Sequence, residues 1–543
     1  MTFRYTWYRY FKNIINNKIK IHINLLRNNS WDKKLSQCNN INNNHWKTLK
    51  SIQRKTVHPP PFKLTDGTII YSLKEKAEAL AKGFYTTFTH SDGIFSPHDK
   101  EVKDAMAALD LEPGNSENNI IMPKTISELI KYLPNNKSPG GDRITALMLK
   151  KASFQITLQL YYIYQASLRE CYFPNIWKRA IILAFPKPGK THTSPANYRP
   201  ISLLSLLSKL YERIIYAQIS EHIYNNNIII NEQFGFKQGH STQLQLLRVS
   251  EHFAFEINKN RSSAMVLLDL QKAFDSVWHD ALIYKLINIK LPNYLIKLIR
   301  DYLQNRTFQV RFSGEISDPY TIKTGVPQGS ILGPVLFNIY INDIPKMNNT
   351  ELAIYADDTA LYTSSWSPAL LTIRLQRHLD AVFQFFTEWK MSLNAEKTEA
   401  IIFTRRKFRL PPQIQINGKQ IPWVKKVKYL GIYLDSSLRW GPAIDYRVNK
   451  ALSMIKALYP LINGKNRLPF KLKLLLYKAC VRTSLLYAAQ VWAVAAQSQM
   501  DRVQRVQNKF LRIILDVPYD TEISTLHVDT NIEYIDNYVR DDW

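Results

Sequence analysis

The sequence predicts a mixed α/β protein, and three features of it carry that prediction. Residues 176–365 alternate short apolar runs of strand length with stretches whose apolar residues recur every three or four positions. Two of the strand-like runs carry carboxylates, at Asp269 and at Asp357-Asp358. Beyond Trp440 the pattern turns helical and basic, as in Arg447 to Leu461 and Arg502 to Leu515. In chain order, residues 1–60 are a basic, Asn-rich N-terminal arm ending in a Pro-rich linker at His58-Pro59-Pro60-Pro61. Residues 61–175 are an N-terminal helical region, in which residues 72–90 have helical spacing and 135–144 is a turn-rich loop. Residues 176–440 form the α/β part, and 441–543 a helical C-terminal part. No internal repeat is present.

The length of 543 residues suggests about two to four domains. The formal charge of +28 asks for an extended, negatively charged partner, with nucleic acid first and an anionic membrane surface as the competitor. The first 60 residues carry twelve Lys and Arg against the single acid Asp32, which suits an arm that holds template RNA or a tolerant segment under coding bias. Cys38, Cys171 and Cys480 are too few and too far apart for a disulfide framework or a zinc site, and a reducing compartment fits them. The apolar stretch Ile331 to Ile341 is shorter than the ~20 residues a membrane span needs. No secretory signal is visible, and the scarcity of serine near the N-terminus argues against a transit peptide.

Three segments carry candidate chemistry. In Ala264-Met-Val-Leu-Leu-Asp269 an apolar strand ends in a carboxylate, which places the acid at the rim of a sheet. In Leu352-Ala-Ile-Tyr-Ala-Asp357-Asp358-Thr-Ala-Leu-Tyr362 two apolar runs flank adjacent acids, which reads as a hairpin with the acids at the turn. Acids among apolar strands repel one another and resist burial, and a divalent cation removes that cost. If the two strands lie side by side, Asp269 and Asp357 meet in a two-metal site for nucleotidyl transfer, with Mg²⁺ as the ion that suits carboxylate oxygens. In Thr324-Gly325-Val-Pro327-Gln328-Gly329 a Gly-rich loop opens a long apolar helix and allows close approach of backbone to a nucleotide. Each feature alone has a plain reading: a solvated turn, a helix cap, an ordinary loop. Their joint occurrence, in this order, favours the site.

Residues 176–440 resemble the reverse transcriptase domain of jockey-type non-LTR retrotransposons. The resemblance rests on Trp177 to Lys190, Tyr198-Arg199-Pro-Ile-Ser to Glu212, Gln233-Phe-Gly-Phe-Lys-Gln-Gly-His-Ser-Thr242 and Leu268-Asp-Leu-Gln-Lys-Ala-Phe-Asp-Ser-Val-Trp-His279. It continues through Gly325-Val-Pro-Gln-Gly-Ser-Ile-Leu-Gly-Pro334, Tyr355-Ala-Asp-Asp-Thr359 and Val427-Lys-Tyr-Leu-Gly-Ile-Tyr-Leu-Asp435. It implies a right-hand polymerase, with an extension of the fingers in 61–175, fingers and a mostly antiparallel palm sheet in 176–440, and a thumb and C-terminal extension in 441–543. By the same resemblance Asp269, Asp357 and Asp358 are the catalytic, metal-binding acids for two Mg²⁺ ions, with Mn²⁺ as the alternative. Phe274 is the aromatic gate against the 2′-hydroxyl, with core packing as its competing reading. Gln328 lines the nucleotide pocket, and Lys187 and Arg199 reach the triphosphate, with solvated surface residues as the competing reading for these two. Lys397 matches the proton donor to pyrophosphate, and a surface lysine is the competing reading. Tyr429, Leu430 and Gly431 form the primer grip, against the alternative of a plain buried strand.

The resemblance also names partners: template RNA, a DNA primer at nicked chromosomal DNA, and dNTPs, with no membrane. It implies a ribonucleoprotein assembled in the cytoplasm and acting in the nucleus. Three departures stand out. The usual Pro-Gly-Pro-Asp-Gly loop is Pro139-Gly-Gly-Asp142-Arg143, Ser205 stands where Pro is common, and Gln271 where Ser is common. No endonuclease constellation precedes residue 100, so that activity is expected from a missing N-terminal domain or in trans. Two other readings compete: an inactive RNA-binding descendant of such an enzyme, and a protein similar to group II intron maturases.

Overall fold

A computed structural model describes residues 59–541 other than 65, 90–95, 113–120, 188, 407–410, 465 and 467, together with residues 18, 19, 22 and 26. The basic arm expected over 1–60 thus falls almost wholly outside the described residues, as does Cys38. Helix accounts for 51% and strand for 16%, a mixed fold as the sequence predicts. Among the described residues no helix is long and apolar enough to cross a membrane.

The chain divides into two compact units. One is built from His58–Gln245 and Phe255–Val424, the other from Leu246–Ala254 and Lys425–Trp543. The first unit holds two sheets of five strands. In one, the strand Ser262–Leu268 lies between Asp358–Ser365 and Glu399–Phe403, both antiparallel to it. Glu351–Tyr355 pairs with the outer side of Asp358–Ser365, and the short strand Trp423–Val424 runs parallel to Glu399–Phe403 on the other edge. The register pairs Val266 with Leu361 and Ala400, and Leu361 with Leu352. Because side chains alternate across a strand, these residues share one face with Ala264, Leu268, Ile354 and Ile402. That face packs into the main core with Leu332, Leu336 and Phe337 of the helix Leu332–Tyr340 and with Leu375, Leu379 and Val382 of the helix Pro368–Glu388. Each of the Val, Leu, Ile and Phe side chains among them contributes ~1.5–3 kcal/mol on burial.

The second sheet pairs Arg179–Pro186 antiparallel with Tyr198–Leu203 and parallel with Arg306–Phe312. The helix Leu73–Tyr85 covers it through Ala77, Leu80, Ala81 and Phe84, which meet Ile182, Phe308, Val310 and Phe312. The helix expected over 72–90 is found but stops early, at Tyr85, where turns take over from Thr86, and 135–144 is irregular apart from turns. The helix that follows the Gly-rich loop is shorter than the sequence suggests. It spans only Leu332–Tyr340, and a turn follows it at Ile341–Asp343.

The other unit opens with an antiparallel hairpin, Lys426–Tyr429 with Ile432–Asp435. Its helices include Gly441–Ile462 and Gln497–Leu515, which agree with the helical pattern beyond Trp440.

Candidate active site

Asp269 is the first residue past the end of the strand Ser262–Leu268. The last pair of that register joins Leu268 to Thr359, so one further step sets Asp269 opposite Asp358. Asp357 occupies the turn between Tyr355 and Asp358, next to Ala356, which has a φ of 57°. Asp269 and the adjacent pair Asp357-Asp358, remote from it in sequence, are therefore delivered to one end of one sheet. All three line an open cleft of about 1530 Å³, and so do Lys187, Arg199, Phe274, Gln328 and Lys397.

The acids feel one another. Burial pushes the Asp357 carboxyl up and the Asp269 charge adds to this, while its own backbone amide and Arg199 oppose the shift. Burial, then Asp357 and Asp269, push Asp358 up to about 6. Asp269 keeps a side chain 39% exposed to the cleft and pairs with Lys397 at 3.1 Å. The backbone makes that pairing: Asn394 N–H donates to the Asp269 carbonyl at 2.8 Å, Leu270 bridges to Leu393, and the following turn brings Lys397 back onto the carboxylate.

Cations gather in the same cleft. The Lys187 ammonium donates to the Ala196 carbonyl at 2.8 Å. Its pKa is lowered by burial and then by the charges of Lys397, Arg199 and Lys272, with Asp275 opposing. Lys272 is likewise held down by burial, and it donates to the Thr87 hydroxyl at 2.6 Å. Cations that repel one another at short range form a site waiting for anionic charge. Arg199 faces Phe185 across the strand pair that carries Lys187 at its end.

Phe274 stacks on the buried ring of Phe337 at 4.5 Å and 24°, and it also meets Phe236 edge-on. The Gly-rich loop is bound to the Phe274 segment: Val326 N–H donates to the Phe274 carbonyl and Gly325 N–H to that of Val277, each at 2.8 Å. A Cβ on Gly325 would lie 2.6 Å from the Asp275 carbonyl oxygen, so the close approach requires glycine there. Gln328 donates its amide to Asp275 Oδ1 at 2.8 Å. Asp275 is 4% exposed, and burial pushes its carboxyl up to about 7, with Gln328, Lys272 and Lys187 opposing.

Tyr429, Leu430 and Gly431 lie in the other unit, where Leu430 and Gly431 form the hairpin turn with φ of 43° and 84°. Arg447 donates to the Gly431 carbonyl at 2.6 Å and the Tyr487 hydroxyl to that of Leu430 at 3.0 Å, which pins the turn.

Sequence reasoning assigned no role to three contributors. Asp275 stands beside Phe274 in the motif, yet its bond to Gln328 is a long-range one. Gln233 accepts from Ala356 N–H at 3.1 Å and from Gly235 N–H at 2.7 Å, so it clamps the turn that bears Asp357. Lys272 joins the cations of the cleft. The departures also find a physical place. Arg143 takes a φ of 58°, the left-handed conformation that the usual glycine of this loop adopts without strain. Ser205, in place of the common Pro, donates to Asp142 of the same loop at 2.5 Å.

Comparison with known proteins decides the family. Residues 185–434 match the family described as reverse transcriptase (RNA-dependent DNA polymerase). This segment belongs to the reverse transcriptase family. The chain is 34% identical over 531 residues to the "Probable RNA-directed DNA polymerase from transposon BS" of Drosophila melanogaster, covering 95% of this chain and 58% of that protein. It is 31% identical over 493 residues to the "Probable RNA-directed DNA polymerase from transposon X-element" of the same organism, 90% of this chain and 54% of the relative. To the "RNA-directed DNA polymerase from mobile element jockey" of Drosophila funebris it is 34% identical over 425 residues, 77% and 46%. The chain thus spans about half the length of the curated relatives it matches. Reverse transcriptases as a family use divalent metal ions.

Proposed function

We propose that this chain is an RNA-directed DNA polymerase of a non-LTR retrotransposon. It would transfer nucleotidyl groups from dNTPs to a primer 3′-hydroxyl at nicked chromosomal DNA, with RNA as template. The observation that carries this reading is the meeting of Asp269 with Asp357-Asp358 at one end of a sheet, in one cleft with Lys187, Arg199 and Lys272.

The donor chemistry fits a divalent cation. Asp357 and Asp358 are each pushed up partly by neighbouring carboxylates, and a cation would relieve that repulsion. Among the described residues no three His, Cys, Asp or Glu side chains are grouped to hold a metal ion alone. Mg²⁺ is ordinarily held by one or two carboxylates and completed by waters and substrate phosphates, so Asp269 and Asp357, with Asp358 in support, are a suitable protein share. Bound there, two Mg²⁺ ions, or Mn²⁺ in their place, would supply Lewis-acid activation of the 3′-hydroxyl and offset charge on the departing pyrophosphate.

The remaining work belongs to side chains. Lys187 and Arg199, with Lys272, hold the triphosphate. Gln328, fixed by Asp275, lines the nucleotide pocket. Phe274 forms the wall beside the sugar, where a 2′-hydroxyl would collide. Lys397 carries a proton that can be given to the leaving pyrophosphate. Tyr429, Leu430 and Gly431 grip the primer end. Residues 61–175 extend the fingers, 176–440 supply fingers and palm, and 441–543 the thumb and a C-terminal extension.

Extension of a DNA primer on an RNA template tests the proposal. Incorporation that requires the RNA template, dNTPs and a divalent cation supports it. Intact RNA binding with no incorporation under any of these conditions overturns it in favour of a binding protein.

A further inference from the structure

Phe236 is an uneconomical residue by ordinary folding criteria. Its side chain is 55% exposed, and its backbone has a φ of 56°, in the left-handed region that bulky residues seldom occupy. Neither feature serves the core, since the ring is left to water and the backbone is strained. Strain of this kind collects at ligand clamps and functional sites. Phe236 does line the cleft that holds the three aspartates.

In the cleft its ring meets Phe274. The two rings stand edge to face, with centroids 6.3 Å apart and planes at 89°. The Phe274 ring lies nearly parallel to Phe337, whose side chain is fully buried. Phe274 is thus held on one side by the floor of the core and on another by an exposed brace.

The brace is anchored to the catalytic turn. Gly235, next to it, lies so close to the Tyr355–Ala356 backbone that a Cβ would fall 2.2 Å from the Ala356 nitrogen. Phe234 N–H donates to the Ile354 carbonyl at 2.9 Å, and the Asn338 amide donates to the Gly235 carbonyl at 2.7 Å. The backbone that carries Phe236 therefore cannot move without pulling on the strand that leads to Asp357.

We propose that Phe236 is a specificity-determining positioning residue, whose ring braces Phe274 and fixes the wall that the sugar of the incoming nucleotide meets. This rests on the assignment of Phe274 as the sugar gate. An aromatic pair in this geometry restrains ring orientation beyond simple burial. Without Phe236, Phe274 keeps its floor but can tilt away from the sugar, and ribonucleotides gain access.

The test is the ratio of kcat/KM for a deoxynucleotide to that for the matching ribonucleotide, measured on a primed RNA template with the full chain. Phe236→Ala and Phe236→Leu should each lower this ratio by about tenfold, the upper worth of one aromatic pair. Phe236→Tyr should restore it, and Phe274→Ala should lower it further. The double variant Phe236→Ala/Phe274→Ala should be no worse than Phe274→Ala, because the brace acts only through the gate. If Phe274→Ala lowers the ratio while the Phe236 variants leave it at the wild-type value, the brace is refuted and the gate stands. Equal losses for both sugars in the Phe236 variants would make Phe236 merely structural and also refute the brace. If Phe274→Ala leaves the ratio unchanged, the gate assignment fails and the brace with it.

Discussion

Replacing Gly235 by Ala should cripple the site without unfolding the protein. The added Cβ would lie 2.2 Å from the Ala356 nitrogen and 2.9 Å from the Tyr355 carbonyl carbon. Comfortable separation of such atoms begins near ~3.5 Å, so one backbone must retreat by roughly 1 Å. Neither has slack, because Gln233 Oε1 ties Gly235 N–H and Ala356 N–H to the same atom. Overpacking of this kind costs ~1–3 kcal/mol, which a large core tolerates. A shift of ~1 Å at the turn bearing Asp357 costs about 10²-fold in rate, because reacting groups lose their alignment. Single-nucleotide incorporation measured beside thermal melting separates the two effects. Gly441→Ala is the control, since nothing lies within 4 Å of a Cβ built there. Wild-type incorporation by Gly235→Ala would refute the claim that this glycine sets the position of the turn.

Two further outcomes follow from the charges. Asp275 has its carboxyl raised from 3.8 to about 7, chiefly by burial. The folded pKa lies above the unfolded one, so the stability of the neutral form is complete below pH ~4 and declines as pH rises toward ~7, then levels. Asp275→Asn should flatten that decline in pH-dependent melting and be the more stable protein at pH ~8, by at most about 4 kcal/mol; a variant whose pH profile matches the wild type contradicts this. RNA affinity should fall linearly with salt on logarithmic axes, by about 0.7 in slope for each phosphate contacted on a single strand. A flat plot would contradict the reading of the +28 charge as a nucleic-acid surface.

What the sequence made legible is local. A continuous apolar run of strand length ending at Asp269, and two apolar runs flanking Asp357-Asp358, suggest a strand and a hairpin from the sequence, and the register then brings the acids together. Three- and four-residue spacing located the helices Leu73–Tyr85 and Gln497–Leu515. Contacts between distant segments were not legible. The bond from Gln328 to Asp275, the pairing of Lys397 with Asp269 and the clamp from Gln233 to Ala356 depend on how separate segments pack. Nothing in the composition near Gly235 reveals that the backbone of Ala356 will lie against it. The apolar run after the Gly-rich loop suggested a long helix, but hydrophobicity alone cannot locate the turn at Ile341–Asp343 that follows it. Arg447 looked like one more base on a basic helix, yet it is 3% exposed and captures the Gly431 carbonyl.

The most direct measurement of the central claim is Mg²⁺-dependent dTTP incorporation on poly(rA) primed with oligo(dT), with Asp357→Asn beside the wild type. Removing one carboxylate charge while keeping the side chain's shape should abolish incorporation and leave RNA binding intact. Undiminished incorporation by Asp357→Asn would show that the acids at the hairpin turn are not the catalytic centre.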